Sequence, residues 1–224
     1  MLIVFDLDGT LVDSRRDLTD ASNDLLAAHG AAPLDEESVG TMVGEGVATL
    51  VRRVLAARRL TVPADQALRQ FLEIYDRRLL NHTRPYPGIP ESLAYLGRHG
   101  SLAVLTNKPL AATERILHAL GLRERFQWVV GGDGPHGRKP HPEGLRAIMR
   151  LAREASDQTV LVGDSRVDLE TARNAGSRIC LARYGFGFCN CPPEAIRGDE
   201  LFVDRPDELV ARLLPLAHFA NGSS

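Results

Sequence analysis

The chain has 224 residues, enough for one large domain or for one domain that carries an insertion. Hydrophobic residues make up 44% of it and charged residues 25%, and the net charge of −2 gives no electrostatic reason to invoke nucleic acid or a membrane surface. The first residues lack the basic and long apolar stretches of a secretion signal, and no segment predicts a membrane span. We therefore expect a cytoplasmic protein with no nucleic-acid or membrane partner.

The three cysteines, Cys180, Cys189 and Cys191, do not form a recognisable pattern. Their odd number and irregular spacing fit neither a disulfide framework nor a zinc site. Cys189 and Cys191 are two residues apart, so a redox pair and two plain reduced thiols are both open interpretations of this segment. The second interpretation is the simpler one.

The first predicted element is a strand over residues 2–5, where four apolar residues follow one another. Such a run is typical of a strand buried on both faces of a parallel sheet. Asp6 and Asp8 follow it directly, one residue apart, and then Gly9 and Thr10. Buried carboxylates are costly unless a cation compensates them, so the pair indicates a divalent metal and an anionic substrate, with Gly9 allowing backbone N–H groups to approach a phosphate. The alternative is an ordinary turn at a strand end.

Residues 14–80 contain helical periodicity and no convincing strand. Helices are predicted over 17–28, 36–57 and 64–80, with Gly44 and Gly46 interrupting the second one and Asp35 at a helix start. Two prolines and a glycine then mark a linker over 83–88. We predict a helical cap domain over 14–83, inserted into a core domain formed by 1–13 and 84–224. Gly44 and Gly46 either form a loop over an active site or only separate two helices.

Helices and strands alternate beyond residue 88. Helices are predicted over 90–98, 110–120, 142–153, 168–175 and 206–214, and strands over 101–106, 126–130, 159–162, 178–182 and 201–203. This alternation predicts an α/β fold, namely a doubly wound, parallel, Rossmann-like sheet with an inserted α-helical cap domain. In such folds the chemistry lies at the carboxyl ends of the strands.

Three further segments carry polar side chains where strands or loops end. Thr106 and Asn107 would offer a hydroxyl and backbone N–H groups to an oxyanion, although both residue types also cap helices. Lys139, before a proline turn, is either a charge partner for a phosphoryl group or a surface lysine. Asp164 ends a buried strand and Asp168 lies one helical turn further on, and their alternative roles are a helix cap and a solvated carboxylate.

The chain resembles the haloacid dehalogenase-like superfamily of aspartate-nucleophile phosphatases, whose four motifs appear here as Asp6-Leu7-Asp8-Gly9-Thr10, Thr106-Asn107, Lys139-Pro140 and Gly163-Asp164-Ser165-x-x-Asp168. The similarity covers essentially the whole chain. Within the superfamily, the segments 5–14, 43–51, 105–109 and 173–176 are similar to the phosphoglycolate phosphatase branch. Two departures concern the substrate: Arg16 stands where that branch usually has a proline, and 185–191 differs from its usual C-terminal part.

The resemblance implies a Mg²⁺-dependent phosphatase that acts on a small phosphorylated metabolite such as 2-phosphoglycolate, as a monomer or a homodimer. Asp6 would attack phosphorus and form an aspartyl-phosphate. Asp8 would protonate the leaving alkoxide and later deprotonate the hydrolytic water, a step that favours phosphate esters over haloacids. Thr106 and Lys139 complete the catalytic group by holding phosphate oxygens and balancing charge.

The same resemblance implies the remaining binding groups. Mg²⁺ would be held by Asp6, the backbone carbonyl of Asp8 and Asp164, with Asp168 as an outer or water-bridged partner. The residues implied to contact phosphate or substrate are Gly9, Thr106, Asn107, Lys139, Gly44 and Gly46. Tyr75 and Trp128 are interpreted as packing residues.

Several alternative functions stay open at this point. One alternative keeps the enzyme class and changes the substrate to a sugar phosphate, a nucleotide or pyrophosphate. Another is a phosphomutase such as β-phosphoglucomutase. A phospho-aspartate receiver module uses similar residues, but it is shorter and carries its acceptor on a mid-chain strand. A catalytically silent binding protein is disfavoured because every expected catalytic position is filled.

Overall fold

The computed structural model describes residues 1–218. Its strands, in chain order, are β1 (Leu2–Phe5), β2 (Val12–Asp13), β3 (Arg84–Pro85), β4 (Ser101–Leu105), β5 (Trp128–Val130), β6 (Thr159–Gly163), β7 (Arg178–Ala182) and β8 (Leu201–Val203). Its α-helices are α1 (Arg15–Ala28), α2 (Glu36–Gly40), α3 (Val47–Ala57), α4 (Ala64–Arg78), α5 (Ile89–Leu96), α6 (Leu110–Ala119), α7 (Glu143–Ala152), α8 (Arg166–Ala175) and α9 (Glu208–His218). No helix within these residues has the length and apolar character to cross a membrane.

Six strands form one parallel sheet in the order β5-β4-β1-β6-β7-β8. This order confirms the predicted doubly wound α/β architecture. Strand β1 lies at the centre, with β4 on one side and β6 on the other, so the strand order reverses at β1. The carboxyl end of β1 is therefore the crevice in which such folds bind their ligands.

The continuous apolar run of β1 is explained by burial on both faces. All four of its side chains are fully buried. Ile3 and Phe5 point into the larger hydrophobic core, and Leu2 and Val4 point into a second core on the opposite face of the sheet. The strand thus has no solvent-facing side that would require polar residues, and its first polar side chain, Asp6, comes where the strand ends.

Helices α1 to α4 lie between β2 and β3, in the segment for which helices were predicted. We call residues 14–83 the helical insertion. The break expected at Gly44 and Gly46 separates α2 from α3, and both glycines have positive φ angles, of 118° and 89°. Asp35 caps α2 as expected, because its side chain accepts a hydrogen bond of 2.7 Å from the Ser38 N–H.

Two short strands join the helical insertion to the sheet. β2 and β3 pair antiparallel, with Val12 opposite Pro85 and Asp13 opposite Arg84. The sequence predicts only a linker over residues 83–88, because two residues are too few for an alternating pattern and one residue of β3 is proline. The chain therefore leaves the sheet and returns to it along neighbouring strands.

Helix α8 begins earlier than predicted. For Asp164 and Asp168, the alternatives to a metal-binding role are a helix cap and a solvated first-turn carboxylate. Instead Ser165 is the N-cap, and Ser165 and Asp168 form a reciprocal capping box in which both side chains bond the other's backbone N–H. Asp168 is fully buried, so its solvated alternative is wrong.

Candidate active site

The predicted nucleophile, Asp6, directly continues β1. Its backbone N–H donates to the Val162 carbonyl, which extends the strand pairing by one residue, and the residue is only 7% exposed. The chain then turns tightly: the Leu11 and Val12 N–H groups both donate to the Leu7 carbonyl. This turn carries Asp8 to the rim of the same crevice, beside Asp6.

Gly9 is required in this turn for two reasons. Its φ angle is +85°, which an L side chain rarely adopts. A Cβ at this position would also overlap the Asp164 carboxylate. Gly9 was predicted to let backbone N–H groups approach a phosphate. In the structure, it is the Asp164 carboxylate that approaches Gly9 closely.

Lys139 lies between two of the predicted acids. Its Nζ is 2.7 Å from Asp6 Oδ1 and 2.6 Å from Asp168 Oδ1, and its side chain is 2% exposed. Burial on its own would lower the pKa of this ammonium, but Asp168 and Asp6 raise it well above the usual value. Lys139 is thus a buried cation, and the surface alternative is wrong. Asp168 reaches the site through it, since the other Asp168 oxygen bonds the Ser165 N–H and hydroxyl.

Asp164 directly follows β6 and is 2% exposed. Its Oδ2 accepts a hydrogen bond of 2.8 Å from the Gly187 N–H. Oxygens of Asp6, Asp164 and Asp168 all lie within 4.8 Å of one another. Burial raises the pKa of Asp6 to about 6, against Lys139, which lowers it, and burial together with Asp168 and Asp6 raises the pKa of Asp164 well above its usual range.

These three carboxylates suit a divalent cation. Among the described residues only Lys139 forms an ion pair with them, so the ionised cluster holds excess buried negative charge that an ion such as Mg²⁺ would neutralise. Among the described residues, Asp6 Oδ2 and Asp164 Oδ1 have no hydrogen-bond donor, whereas both Asp168 oxygens are used. The free oxygens thus belong to two of the predicted ligands, whereas both Asp168 oxygens already have donors.

The second acid of the motif, Asp8, lies among donors that the sequence analysis did not assign to it. Ser14 Oγ donates to its Oδ1 at 2.6 Å. Lys108 Nζ lies 3.0 Å from Oδ1 and 2.9 Å from Oδ2, and it also donates to the Tyr75 hydroxyl at 2.7 Å. Tyr75, interpreted as a packing residue, therefore contacts the site through its polar end.

A signal for Lys108 was present in the sequence. The chain contains two lysines, Lys108 and Lys139, and uses arginine for all its other long basic side chains. Both lysines lie at the same sheet edge, and both are buried. Compact ammonium groups are thus reserved for the positions next to the acidic motif.

Thr106 and Asn107 follow β4 at the neighbouring rim. Thr106 is 3% exposed, and its Oγ1 accepts from the Lys108 N–H. The Asn107 side chain, in contrast, is fully engaged: it donates to the carbonyls of Gly44 and Lys139 and accepts from the Lys139 N–H. Asn107 therefore fixes Lys139 and joins it to the loop between α2 and α3.

A cavity of about 70 Å³ opens between this rim and the helical insertion. That is room for about five water-sized groups. The rim contributes Asp6, Asp8, Thr106, Asn107 and Lys108, while the helical insertion contributes mainly apolar side chains. Gly44 and Gly46 separate α2 from α3, and they also line the cavity. They are therefore more than a break between two helices.

Comparison with known proteins places this arrangement in a family. The family model described as haloacid dehalogenase-like hydrolase matches residues 3–182. The chain belongs to the haloacid dehalogenase-like hydrolase family. It is 39% identical over 216 residues to a plasmid-encoded phosphoglycolate phosphatase of Cupriavidus necator, covering 95% of this chain and 93% of that one. It is also 42% identical over 193 residues to phosphoglycolate phosphatase of Rhodospirillum rubrum, covering 82% and 80%.

A solved structure supports the same family. The crystal structure of a predicted phosphoglycolate phosphatase from Haemophilus somnus superimposes on this hydrolase with a TM-score of 0.87. The two chains are 32% identical, and the alignment covers 94% of this chain and 96% of the other. The similarity includes the helical insertion as well as the sheet.

In this hydrolase the segment 184–191, whose role the sequence did not indicate, links the acidic cluster to the helical insertion. Gly185 packs so closely against Asp164 that a Cβ would overlap it, and Gly187 donates to the same carboxylate. At its far end, Asn190 Nδ2 donates to the Thr41 carbonyl at 2.8 Å. All three cysteines are free thiols, and Cys189 is exposed whereas Cys191 is buried.

Proposed function

We propose that this hydrolase is a Mg²⁺-dependent phosphatase of small phosphomonoesters and that its substrate is 2-phosphoglycolate, which it converts to glycolate and phosphate. The observation that carries the proposal is the convergence of Asp6, Asp8, Thr106 and Lys139 on one buried rim. Relatives named phosphoglycolate phosphatase, similar over most of their length, support the choice of substrate. The small volume of the cavity agrees with a small leaving group.

The proposed reaction proceeds in two displacements at phosphorus. Asp6 attacks with a free carboxylate oxygen and forms an aspartyl-phosphate, which water then hydrolyses. Asp8 protonates the leaving alkoxide in the first step and takes a proton from the water in the second. Thr106 and nearby backbone N–H groups hold the non-bridging oxygens, and Lys139 balances charge next to Asp6.

Asp164 would hold the metal through its free oxygen, together with the Asp8 carbonyl and the Asp6 oxygen that does not attack phosphorus, and Asp168 would support them as an outer partner. Bound Mg²⁺ supplies positive charge to the phosphoryl oxygens as negative charge develops on them. Lys139 keeps Asp6 and Asp168 in position on the other side of the cluster. Of the four residues predicted for the metal site, Asp6 and Asp164 have a free carboxylate oxygen, Asp8 would contribute its backbone carbonyl, and Asp168 orients Lys139.

We further propose that residues 14–83 act as a cap domain over a core formed by 1–13 and 84–224. The apolar side chains of the helical insertion exclude bulk water from the aspartyl-phosphate, and Gly44 and Gly46 form the backbone-lined part of this cover. Two contacts connect the helical insertion to the core. Arg115 of α6 forms an ion pair with Asp76 of α4, and the Asn107 side chain donates a hydrogen bond to the Gly44 carbonyl.

The proposal is tested by phosphate release from a panel of phosphomonoesters, with Mg²⁺ and with a chelator. We expect 2-phosphoglycolate to give the highest kcat/KM, equal amounts of glycolate and phosphate, and a rate that disappears with the chelator and returns with Mg²⁺. An Asp6→Asn preparation purified in parallel controls for contaminating phosphatase. Absence of phosphate release from every ester would contradict the phosphatase assignment, and isomerisation without release would indicate a phosphomutase.

A further inference from the structure

The cavity contains one cationic side chain among the described residues that line it, and that side chain is Lys108. Lys139 lies behind Asp6, where it is enclosed by two carboxylates. Lys108 lies on the opposite side of the motif, between Asp8 and Tyr75, and its side chain is 4% exposed. The two lysines therefore divide the site into a phosphoryl end and a leaving-group end.

We propose that Lys108 and Tyr75 form a subsite for a carboxylate that the leaving group carries one carbon away from the ester oxygen. This inference rests on the proposed function, and it names the group by which the substrate is selected. The enzyme would thereby prefer 2-phosphooxy acids to neutral or cationic phosphomonoesters of the same size. The subsite lies where the core rim meets helix α4 of the helical insertion.

Lys108 lies beside the place where the leaving group would be, because it contacts the proposed general acid Asp8. A general acid must come within hydrogen-bonding distance of the ester oxygen, about 2.6–3.2 Å. The Lys108 ammonium is already within 3.0 Å of both Asp8 oxygens. When one Asp8 oxygen turns to the ester oxygen, an N–H of Lys108 is released beside the leaving group. A carboxylate separated from the ester oxygen by one methylene would meet that N–H.

Tyr75 supplies a second donor at the same place. Its oxygen accepts from Lys108 at 2.7 Å, and no described residue accepts its own O–H. Burial raises the pKa of Tyr75 to about 12, against Lys108, which lowers it, so the phenol keeps this proton. A carboxylate oxygen in the cavity could therefore accept from the ammonium and from the phenol together.

The remaining walls make such a subsite necessary for an anionic leaving group. Val47, Leu50 and Phe71 face the cavity from the helical insertion, and an unpaired carboxylate among them would be strongly disfavoured. The negative charge of Asp8 would repel such a carboxylate and disfavour it further. Without a cation here, the cavity would favour neutral leaving groups. A compact ammonium also fits between Asp8 and Tyr75 where a planar guanidinium would need more width.

The test compares kcat/KM for 2-phosphoglycolate, ethyl phosphate and phosphoethanolamine. For the wild-type enzyme we expect 2-phosphoglycolate to exceed ethyl phosphate by about 10²-fold, with phosphoethanolamine lowest, as for a buried charge pair. Lys108→Met should reduce the preference over ethyl phosphate to within about threefold, and Tyr75→Phe should reduce it by about tenfold. Matched controls are Arg53→Met, which removes a cation outside this cavity, and Tyr95→Phe, an exposed tyrosine.

The comparison of ratios separates selectivity from general loss of activity, because Lys108 also contacts Asp8. A wild-type enzyme that hydrolyses ethyl phosphate as fast as 2-phosphoglycolate would overturn the subsite and leave the phosphatase assignment standing. Unchanged preference in both Lys108→Met and Tyr75→Phe would overturn it too. If Lys108→Met does not fold, Tyr75→Phe and the wild-type substrate series decide. Loss of all phosphate release in the wild type would instead refute the proposed function.

Discussion

The ammonium nitrogen of Lys139 lies 2.7 Å from Oδ1 of Asp6, and their side chains are only 2% and 9% exposed. The same nitrogen contacts Asp168, and Asp164 lies within reach of both acids. One buried cation therefore holds together a cluster whose members would otherwise repel one another. We expect the stability and the activity of the enzyme to depend on this arrangement.

Replacing Lys139 by methionine keeps the length of the side chain and removes its charge. The variant should lose about 3–5 kcal/mol in its free energy of unfolding near neutral pH, because buried carboxylates are left unpaired. Urea unfolding, followed by circular dichroism, measures this. The control is Arg166→Met, whose partner Glu170 is also solvent-accessible, so its loss should leave the free energy of unfolding nearly unchanged. Equal losses in the two variants would contradict the buried-cation role.

The metal-free protein should become less stable as the pH rises through about 6. The pKa of Asp6 is raised from 3.8 to about 6 in the fold, and that of Asp164 is also raised, so between these values the folded protein binds more protons than the unfolded chain. Its free energy of unfolding therefore falls as these protons are lost, by about 1–3 kcal/mol. Thermal unfolding with a chelator should give a higher Tm at about pH 5.5 than at about pH 7.5.

Adding Mg²⁺ should reverse this order. Because the ion binds the ionised carboxylates of the folded state, it should raise Tm more at the higher pH, where protons do not compete. Asp164→Asn serves as the control, since it removes a proposed ligand and should weaken both the pH effect and the Mg²⁺ effect. A Tm that is independent of Mg²⁺ at the higher pH would argue against a metal site at this cluster.

Substitution of Asp6 and substitution of Asp8 should impair different steps of the reaction. Asp6→Asn should lower turnover of every phosphomonoester by at least about 10³-fold, because the nucleophile is missing. Asp8→Asn should lower hydrolysis of 2-phosphoglycolate by about 10²–10⁴-fold. With p-nitrophenyl phosphate, whose leaving group needs no acid, Asp8→Asn should give a burst of nitrophenolate followed by slow turnover. Stopped-flow absorbance measures the burst, and its appearance in Asp6→Asn would contradict the assignment.

Asn107→Ala should impair catalysis because the Asn107 side chain holds the backbone of Lys139 in place. It removes three hydrogen bonds, two of them to the backbone of Lys139, and should cost about 2 kcal/mol of stability. A displaced Lys139 should also lower kcat by about 10²-fold. Asn190→Ala, which also breaks a bond to the helical insertion but leaves Lys139 alone, should keep most of kcat. Similar kcat values for the two variants would show that Lys139 does not depend on Asn107.

Gly185→Ala should displace Asp164 and so disturb the acidic cluster. A Cβ at residue 185 would overlap Asp164 and the Gly9 carbonyl, neither of which can move without displacing the site. We expect a loss of about 2 kcal/mol or more in stability and a weaker response of Tm to Mg²⁺. Gly134→Ala is the matched control, since its Cβ would meet only the Gly131 carbonyl, at 3.4 Å. Normal Mg²⁺ response in Gly185→Ala would place the metal away from Asp164.

The sequence allowed most of the sheet and the acidic motif to be predicted, because the information is local. The apolar run of β1 marks a doubly buried strand, and parallel strands bring their carboxyl ends to one edge. Asp6, Asp164 and Lys139 therefore converge as the strand pattern indicates. From the sequence, a helix cap at Asp164 is only the alternative to its metal role; the N-cap of α8 is Ser165, and because aspartate and serine both cap helices only the conformation decides between them.

The contacts of Lys108 could not be derived in this way. Its partner Tyr75 is 33 residues earlier in the chain, on a helix whose position over the rim depends on how the helical insertion packs. A tyrosine in an amphipathic helix looks like any other core aromatic. The pairing of β2 with β3 was likewise invisible, because each strand has two residues.

Asp13 and Arg84 face each other across the β2–β3 pair, so seventy residues begin and end at neighbouring points of the backbone. A tight turn between them would close the chain without stretching any strand of the sheet. We therefore propose that a different set of helices could be grafted at the same two points and would change which molecules reach the site.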